Sequence, residues 1–435
     1  MARQIAALAT VLVAGLALFL SQRTRPLTPQ LPRVIGRNNT VLFVTQSENG
    51  MSNVLTSTAH ALLEHHPQIH IHYASFADVA PRLERISSDA RTKTAAAREI
   101  VFHEIPGQSL ADISPGKTRP MATMIFPPGR EGIEAMMGSG FPYPVPWSKI
   151  PENIYLNMRL AYAMLTVPDA KAKQDFLKSK GLTKQATMVE SYSPHAPWFA
   201  QNLEGAARPL AVIPQNVTAT GPMSISLAPA AEQDPELTAW LAQAPNVMIN
   251  LGSAYVYDEP HAAAMAQALV GFPDGTSFQV LWKFRKDLSD DYSDDFAVAL
   301  RPFIASGRVR MENWLATDPT ALLEMGHIVA SVHHGGSCCY HEAISAGVPH
   351  VVLPWWADHY DFAQMVEDIN VGVWGCRETS PYWTPDCLRD AFRKVAESAQ
   401  MRDKAKKLGE VAKRGPGQYL VAREIAKLAA AGKGV

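Results

Sequence analysis

The stretch that decides the fold is His333-His334-Gly335-Gly336-Ser337-Cys338-Cys339-Tyr340-His341-Glu342-Ala343. Gly347-Val348-Pro349 and Pro354-Trp355-Trp356-Ala357-Asp358-His359 follow it. The apolar run Ile328 to Val332 ahead of it predicts a buried strand, and Gly335-Gly336 predicts a turn into a helix from Ser337 to Ser345. A glycine turn into a helix start is an anion site, because the first N–H groups of a helix lack intrahelical partners and glycine admits close approach. Ser337 adds a hydroxyl there, and His334 can donate to a phosphate oxygen. Glu342 lies deeper in the same helix, where a carboxylate repels phosphate but accepts the hydroxyls of a ribose.

The same rhythm extends outward. Asn246 to Leu251 predicts a strand ending in Gly252-Ser253, His261–Leu269 a helix, and Phe278–Trp282, Val309–Met311 and Val348–Leu353 three more strands. Trp314 follows one strand and offers a face for a base, while Asp358 and His359 follow another and can bond a sugar's hydroxyls. These residues together describe a nucleotide-diphospho-sugar pocket. Upstream, Thr40–Val44, the turn Gln46–Gly50, a helix from Ser52 to His65 and the strand Ile69–Tyr73 form a second βαβ opening. Residues 76–105 read as mostly helical, 106–150 as Pro- and Gly-rich without regular pattern, and 151–200 as helical. The expected fold class is α/β: two Rossmann-like, doubly wound domains facing across a cleft. The expected divisions are an anchor and linker over 1–37, a first domain over 38–221, a linker over 222–245, a second domain over 246–418 and a terminal helix over 419–435.

Composition excludes several classes. The 435 residues are 47% hydrophobic and 19% charged, which is globular rather than disordered, and the length allows two or three domains. Forty basic against 41 acidic residues give a net charge of −1, so no broad field draws nucleic acid and none is expected as a partner. The four cysteines form no C-x-x-C pair and no zinc spacing, so no disulfide scaffold and no metal are expected; Cys376 and Cys387 read as structural, and unpaired thiols favour a reducing compartment. Ile5 to Leu20 is an apolar run preceded by Arg3 and followed by Arg23, Arg25, Arg33 and Arg37. It ends in Phe19-Leu20-Ser21-Gln22, a poor cleavage site, so the expectation is an uncleaved N-terminal membrane-anchor helix with the body on the cytosolic face of the endoplasmic reticulum. Asn38-Asn39-Thr40 and Asn216-Val217-Thr218 fit the glycosylation pattern and speak for the lumen instead.

The region from Trp314 to Phe362 resembles the donor-binding signature of the UDP-glycosyltransferases of GT-B fold, fungal members above all. The match lies in the spacing His334 to Glu342, Gly347-Val348-Pro349, Pro354 and the Trp356-x-Asp358 pair; Gly252-Ser253 resembles the family's first phosphate loop of the second domain. The resemblance implies that Trp314 stacks on uracil, that Gly252, Ser253, His334, Gly335, Gly336, Ser337, Cys338 and Cys339 surround the diphosphate, that Glu342 holds the ribose, and that Asp358 and His359 hold the hexose. It implies a co-substrate UDP-sugar, no further cofactor, and inverting transfer to a small hydrophobic acceptor. This sequence departs from the family's pattern at His359, where Gln is common, at the Cys338-Cys339 pair, and at Ala316-Thr317, where the family has Pro-Gln.

Inverting transfer also needs a group that takes the acceptor's proton. Aligning the first loop on Gly50 puts Met51 where many relatives carry His. Glu48 on the same loop is therefore the expected base, its competing reading being a helix-start carboxylate. The text also passes from Pro128 to Gly138 with no further strand, so the first domain reads as shortened. The expected function is transfer of a hexose, UDP-glucose being the expected donor, to a lipophilic phenolic or polyketide metabolite. The alternatives are a catalytically degenerate UDP-sugar-binding relative and a sterol or lipid glycosyltransferase.

Overall fold

Strands form where aliphatic residues run together and helices follow where polar residues return at helical spacing. The computed structural model describes residues 38–107, 138–166, 168–182, 196–208, 213–272, 278–286 and 292–431. The apolar run Ile5–Leu20 lies outside them. Among the described residues no helix is long and apolar enough to cross a membrane.

In the first half, β1 (Thr40–Val44), β2 (His70–Ser75) and β3 (Val101–Glu104) pair in parallel in the order β1-β2-β3. Their inward side chains Phe43, Ile71 and Tyr73 pack on Leu62 and Leu63 of the Asn49–His65 helix and on Leu83 and Ile86 of the Ala80–Lys93 helix. Leu42, Val44 and Val101 on the opposite face are exposed, so the described helices cover one face of this sheet rather than both, unlike a doubly wound domain. β3 lies where the sequence predicts mostly helix. It is too short and too exposed to carry an apolar signature. β4 (Trp198–Ala200) and β5 (Val217–Ala219) form a separate parallel pair, again within or beside segments that read as helical or irregular.

The second half is built on six parallel strands: β6 (Asn246–Asn250), β7 (Gln279–Lys283), β8 (Val309–Glu312), β9 (Ile328–His333), β10 (His350–Val352) and β11 (Gly372–Trp374). Their order is β11-β10-β9-β6-β7-β8. Every residue of β6 and β7 is buried, as expected of central strands covered on both faces. The alanine-rich Glu259–Gly271 helix lies close against Val280 and Trp282 through Ala262, Met265 and Leu269, and Phe392 of the Pro385–Glu397 helix joins the same core. Gly347, in the left-handed conformation at φ 73°, ends the Ser337–Ala346 helix and turns it into β10.

Three features went unforeseen in the sequence. The expected linker over 222–245 is folded: it carries short helices Ala230–Gln233 and Pro235–Leu241, with Leu237 and Leu241 buried against Met248 and Leu281. The terminal helix Gly417–Ala430 returns to the first domain, where Ala422, Ala426 and Ala429 pack with the Asn49–His65 helix. Cys376 and Cys387 are joined by a disulfide whose Cα atoms lie 5.3 Å apart. The turn after β11 brings them together across a separation of 11 residues that matches no short motif. Cys338 and Cys339 are free thiols.

Leu62 is fully buried where the first sheet, its helices and the terminal helix meet. Leu62→Ala is expected to cost about 2–5 kcal/mol of unfolding free energy. Denaturant titration followed by circular dichroism measures it, and a loss below about 1 kcal/mol would show that this helix does not share the core.

Candidate active site

β6 and β9 are neighbours at the centre of the sheet, with β7 and β8 continuing on one side and β10 and β11 on the other. The loops leaving their carboxyl ends diverge there and open a crevice, the place where parallel α/β sheets bind ligands. Gly252 follows β6 at φ 87°, and a Cβ on it would stand 2.6 Å from Cε1 of His334. A Cβ on Gly336 would stand 2.3 Å from Nε2 of the same ring. The imidazole therefore fits only because both neighbours lack side chains.

The histidines are ordered by their hydrogen bonds. Gly335 N–H donates to Nδ1 of His333 at 3.1 Å, which leaves the His333 proton on Nε2, 2.9 Å from Nδ1 of His350. Burial holds His333 neutral, far below the usual imidazole range. Burial also lowers His334 to about 4, against the raising influence of Glu48, so its ring is neutral near pH 7. His359 meets the His334 ring edge-on at 4.6 Å and is lowered to about 2, by burial first and by His334 second. The Nδ1 atoms of His334 and His359 are buried and have no hydrogen-bond partner among the described residues. Such atoms favour a ligand that completes them.

The remaining expected donor-site residues divide. Gly252, Ser253, His334, Gly335, Gly336, Glu342, Asp358, His359 and Trp314 all follow or flank the carboxyl ends of the second sheet. Trp314 is half exposed, with Lys283 Nζ 4.0 Å from its ring centroid. Asp358 stands at the start of the His359–Asp368 helix without capping it, and burial raises its pKa. Three residues expected at the diphosphate are otherwise engaged. Ser337 Oγ lies 3.2 Å from Nδ1 of His341, one helical turn on. Cys338 Sγ donates to the carbonyl of Gly50 at 2.7 Å, across the domain boundary. Cys339 is turned into a small buried pocket lined also by Asn250, Ser331, His333 and Glu342. The physical reason is helical geometry: consecutive residues point about 100° apart, so one glycine turn cannot aim all three side chains at one ligand.

Glu48 caps the Asn49–His65 helix, its Oε2 accepting from Met51 N–H at 3.0 Å. Its Oε1 accepts from Ser253 Oγ at 2.7 Å. Glu48 is therefore a helix-start carboxylate, as one of its expected readings has it, and the Ser253 hydroxyl expected at a phosphate is bonded to its other oxygen. His60 makes a 2.6 Å contact with Asp89, but it sits about 14 Å along the helix from Met51, too far to serve the loop.

Sequence reasoning missed several residues because their partners are remote in the chain. Arg82 of the first domain is held by Ser52 Oγ and Asn53 Oδ1, both at 2.9 Å, and lies in the field of Asp318 and Glu48. Asp361 accepts from Gly138 N–H at 2.8 Å and Gly140 N–H at 3.2 Å, binding the first domain to the loop that carries Asp358.

Burial raises Glu342 to about 7, helped by Asp318 and opposed by Arg82 and the Thr320 hydroxyl. The folded state thus holds this proton more tightly than the unfolded chain, whose glutamate releases it near 4.5. Stability contributed by this group is present below about pH 4.5 and is lost as pH rises through about 7. Glu342→Gln is expected to raise stability above pH 7 by up to about 3 kcal/mol and to change it little below pH 5. Denaturant titrations at pH 5 and pH 8 measure this, and equal effects at both would remove ionisation as the cause.

A family model described as the C-terminal domain of an erythromycin biosynthesis protein CIII-like family matches residues 306–428. The glycosyltransferase sdnJ of Sordaria araneosa is 30% identical over 441 aligned residues, covering 78% of this chain and 84% of that protein. A Polygonum tinctorium UDP-glucosyltransferase capable of glucosylating indoxyl superposes with a TM-score of 0.55 at 14% identity, over 90% of this chain and 99% of its own. A UDP-glucose:anthocyanidin 3-O-glucosyltransferase in complex with UDP superposes with a TM-score of 0.53 at 14% identity, over 91% and 99%. The two structures carry the fold and the relative carries the lineage. With the crevice between β6 and β9, they place this chain in the UDP-glycosyltransferase family of GT-B fold, and it is a transferase.

Proposed function

We propose that the protein moves a hexose, with UDP-glucose as donor, to the hydroxyl of a lipophilic small molecule such as a phenolic or polyketide metabolite. The observation that carries this is the closure of Gly252 and Gly336 on the His334 ring at the crevice in the centre of the second sheet. In this reading the neutral His334 donates to the departing diphosphate and the start of the Ser337–Ala346 helix receives its charge. Glu342 accepts the ribose hydroxyls, and Asp358 and His359 meet the hexose. The acceptor oxygen attacks the anomeric carbon, the bond to UDP breaks, and the acceptor's proton passes to Glu48.

Glu48 suits the part by position, because its carboxylate already reaches the loop after β6. A carboxylate is a weak base toward an aliphatic alcohol but adequate for a phenol, whose pKa is about 10. One observation favours a second reading, a degenerate UDP-sugar binder: both oxygens of Glu48 already accept hydrogen bonds, and Met51 beside it cannot take a proton.

Full-length protein with UDP-glucose and a panel of phenols, sterols and aliphatic alcohols is expected to yield a phenol glucoside by mass spectrometry. Glu48→Gln is expected to slow transfer by roughly 10²–10⁴. Unchanged turnover would remove Glu48 as base, and UDP-glucose binding without transfer to any acceptor would favour the binder. The apolar run Ile5–Leu20 and the arginines after it support attachment to a membrane with the body in the cytosol. Resistance to alkaline carbonate extraction is expected, and release into the soluble fraction would refute attachment.

A further inference from the structure

Lys283 ends β7 as a buried residue in a strand that is otherwise apolar apart from Gln279. A buried ammonium needs partners. Its Nζ donates to the carbonyl of Gly252 at 2.8 Å and lies 4.0 Å from the centroid of the Trp314 ring. Two residues on, Arg285 repeats the arrangement. Its Nη1 donates to the carbonyl of Ser253, and its guanidinium carbon lies 5.9 Å from the same ring. Two cations, one at the end of β7 and one in the segment after it, thus grip two consecutive carbonyls of the loop after β6 and face one indole.

The peptide group is planar and trans, so its N–H points opposite to its C=O. With the carbonyls of Gly252 and Ser253 turned toward the cations, the N–H groups of Ser253 and Ala254 point the other way. Successive N–H groups facing one side make an anion-binding concavity. The same two side chains cover part of Trp314, which leaves the rest of the indole for a flat partner. We infer that Lys283 and Arg285 are positioning residues for the donor, aiming the Gly252–Ser253 backbone at the diphosphate while bracing Trp314 for the base. This rests on the reading of the crevice as a UDP-sugar site and names the side chains that set its electrostatics.

The inference has a titration that a purely structural brace lacks. Burial lowers Lys283 to about 8, with Arg285 adding to the effect and Cys339 opposing it. The charged and titratable groups facing it are Arg285, Cys339 from the Ser337–Ala346 helix, and His334 after β9. None of these changes charge between pH 7.5 and 9.5. The guanidinium stays charged, His334 is neutral above about 4, and the buried Cys339 thiol is pushed well above its usual range. Lys283 alone among them loses its proton in that window, and the loop then loses its grip and its positive field.

The test is calorimetric titration of the full-length protein with UDP at pH 7.5 and pH 9.5, for the wild type, Lys283→Arg and Lys283→Met. The wild type is expected to bind roughly tenfold more weakly at pH 9.5, as the ammonium is lost. Lys283→Arg is expected to bind equally at both pH values, since guanidinium stays charged. Lys283→Met, with folding verified by circular dichroism, is expected to bind at least tenfold more weakly than the wild type at pH 7.5. A wild type with no pH dependence, or a Lys283→Arg protein that keeps the wild-type dependence, overturns the inference, and neither outcome requires the methionine variant to fold. Lys283→Met binding as tightly as wild type at pH 7.5 overturns it as well. A wild type that binds no UDP at either pH overturns the donor-site reading itself, and is thereby distinguishable from failure of the brace alone.

Discussion

Parallel pairing of β6 with β9 is the constraint on which the rest of the site depends. It sets the loop after β6 beside the loop after β9, so that Gly252 and Gly336 close on the His334 ring with no room for a side chain on either. Because the ring is wedged, its protonation and its direction follow from its surroundings. Removal from water keeps it neutral, and the packing leaves Nδ1 without a partner among the described residues. A short element of backbone geometry thereby determines a chemical property. The neighbouring His333–His350 pair extends the same logic inward, where an amide N–H selects the tautomer of one ring and that ring orients the next.

Three of the contacts between the two domains use a group at or beside the expected donor loops. Glu48 takes the Ser253 hydroxyl, the Gly50 carbonyl takes the Cys338 thiol, and Asp361 takes two amides of the 138–140 segment. Ligand entry and domain contact therefore draw on overlapping groups. On the proposed reading, an anion arriving at the loop after β6 meets a carboxylate already bonded there, which would tie occupancy of the second domain to the position of the first.

How much of this was legible in the sequence depended on the range of the interaction. The strand-turn-helix from Ile328 to Ala346 was readable because its signals are local: an apolar run, two glycines and a helical spacing. β1 was readable to the residue for the same reason. β3 and β11 were missed because a three- or four-residue strand carries too few alternations to show a period. The residues expected at the donor crevice gather at the strand ends of the second sheet, as their places after strands predict, but their individual aims were not legible. Ser337, Cys338 and Cys339 differ in direction by the rotation of a helix, and Ser253 differs because Glu48, far upstream in the chain, reaches it first. Arg82 and Lys283 left no local trace at all. Each is an ordinary basic residue until the fold supplies its partners. The Cys376–Cys387 bond belongs to the same class, being decided by the turn that brings the two together.

The chain crosses between its halves twice, and the crossings touch. Gly417, opening the terminal helix, donates its N–H to the carbonyl of Pro222 at 3.0 Å. A Cβ on it would press within 2.9 Å of the carbonyls of both Gly221 and Thr220 and of the Met223 side chain. Position 417 therefore has no room for a side chain, and the segment leaving the first domain is clamped to the segment re-entering it, so that the two connections share one fixed point.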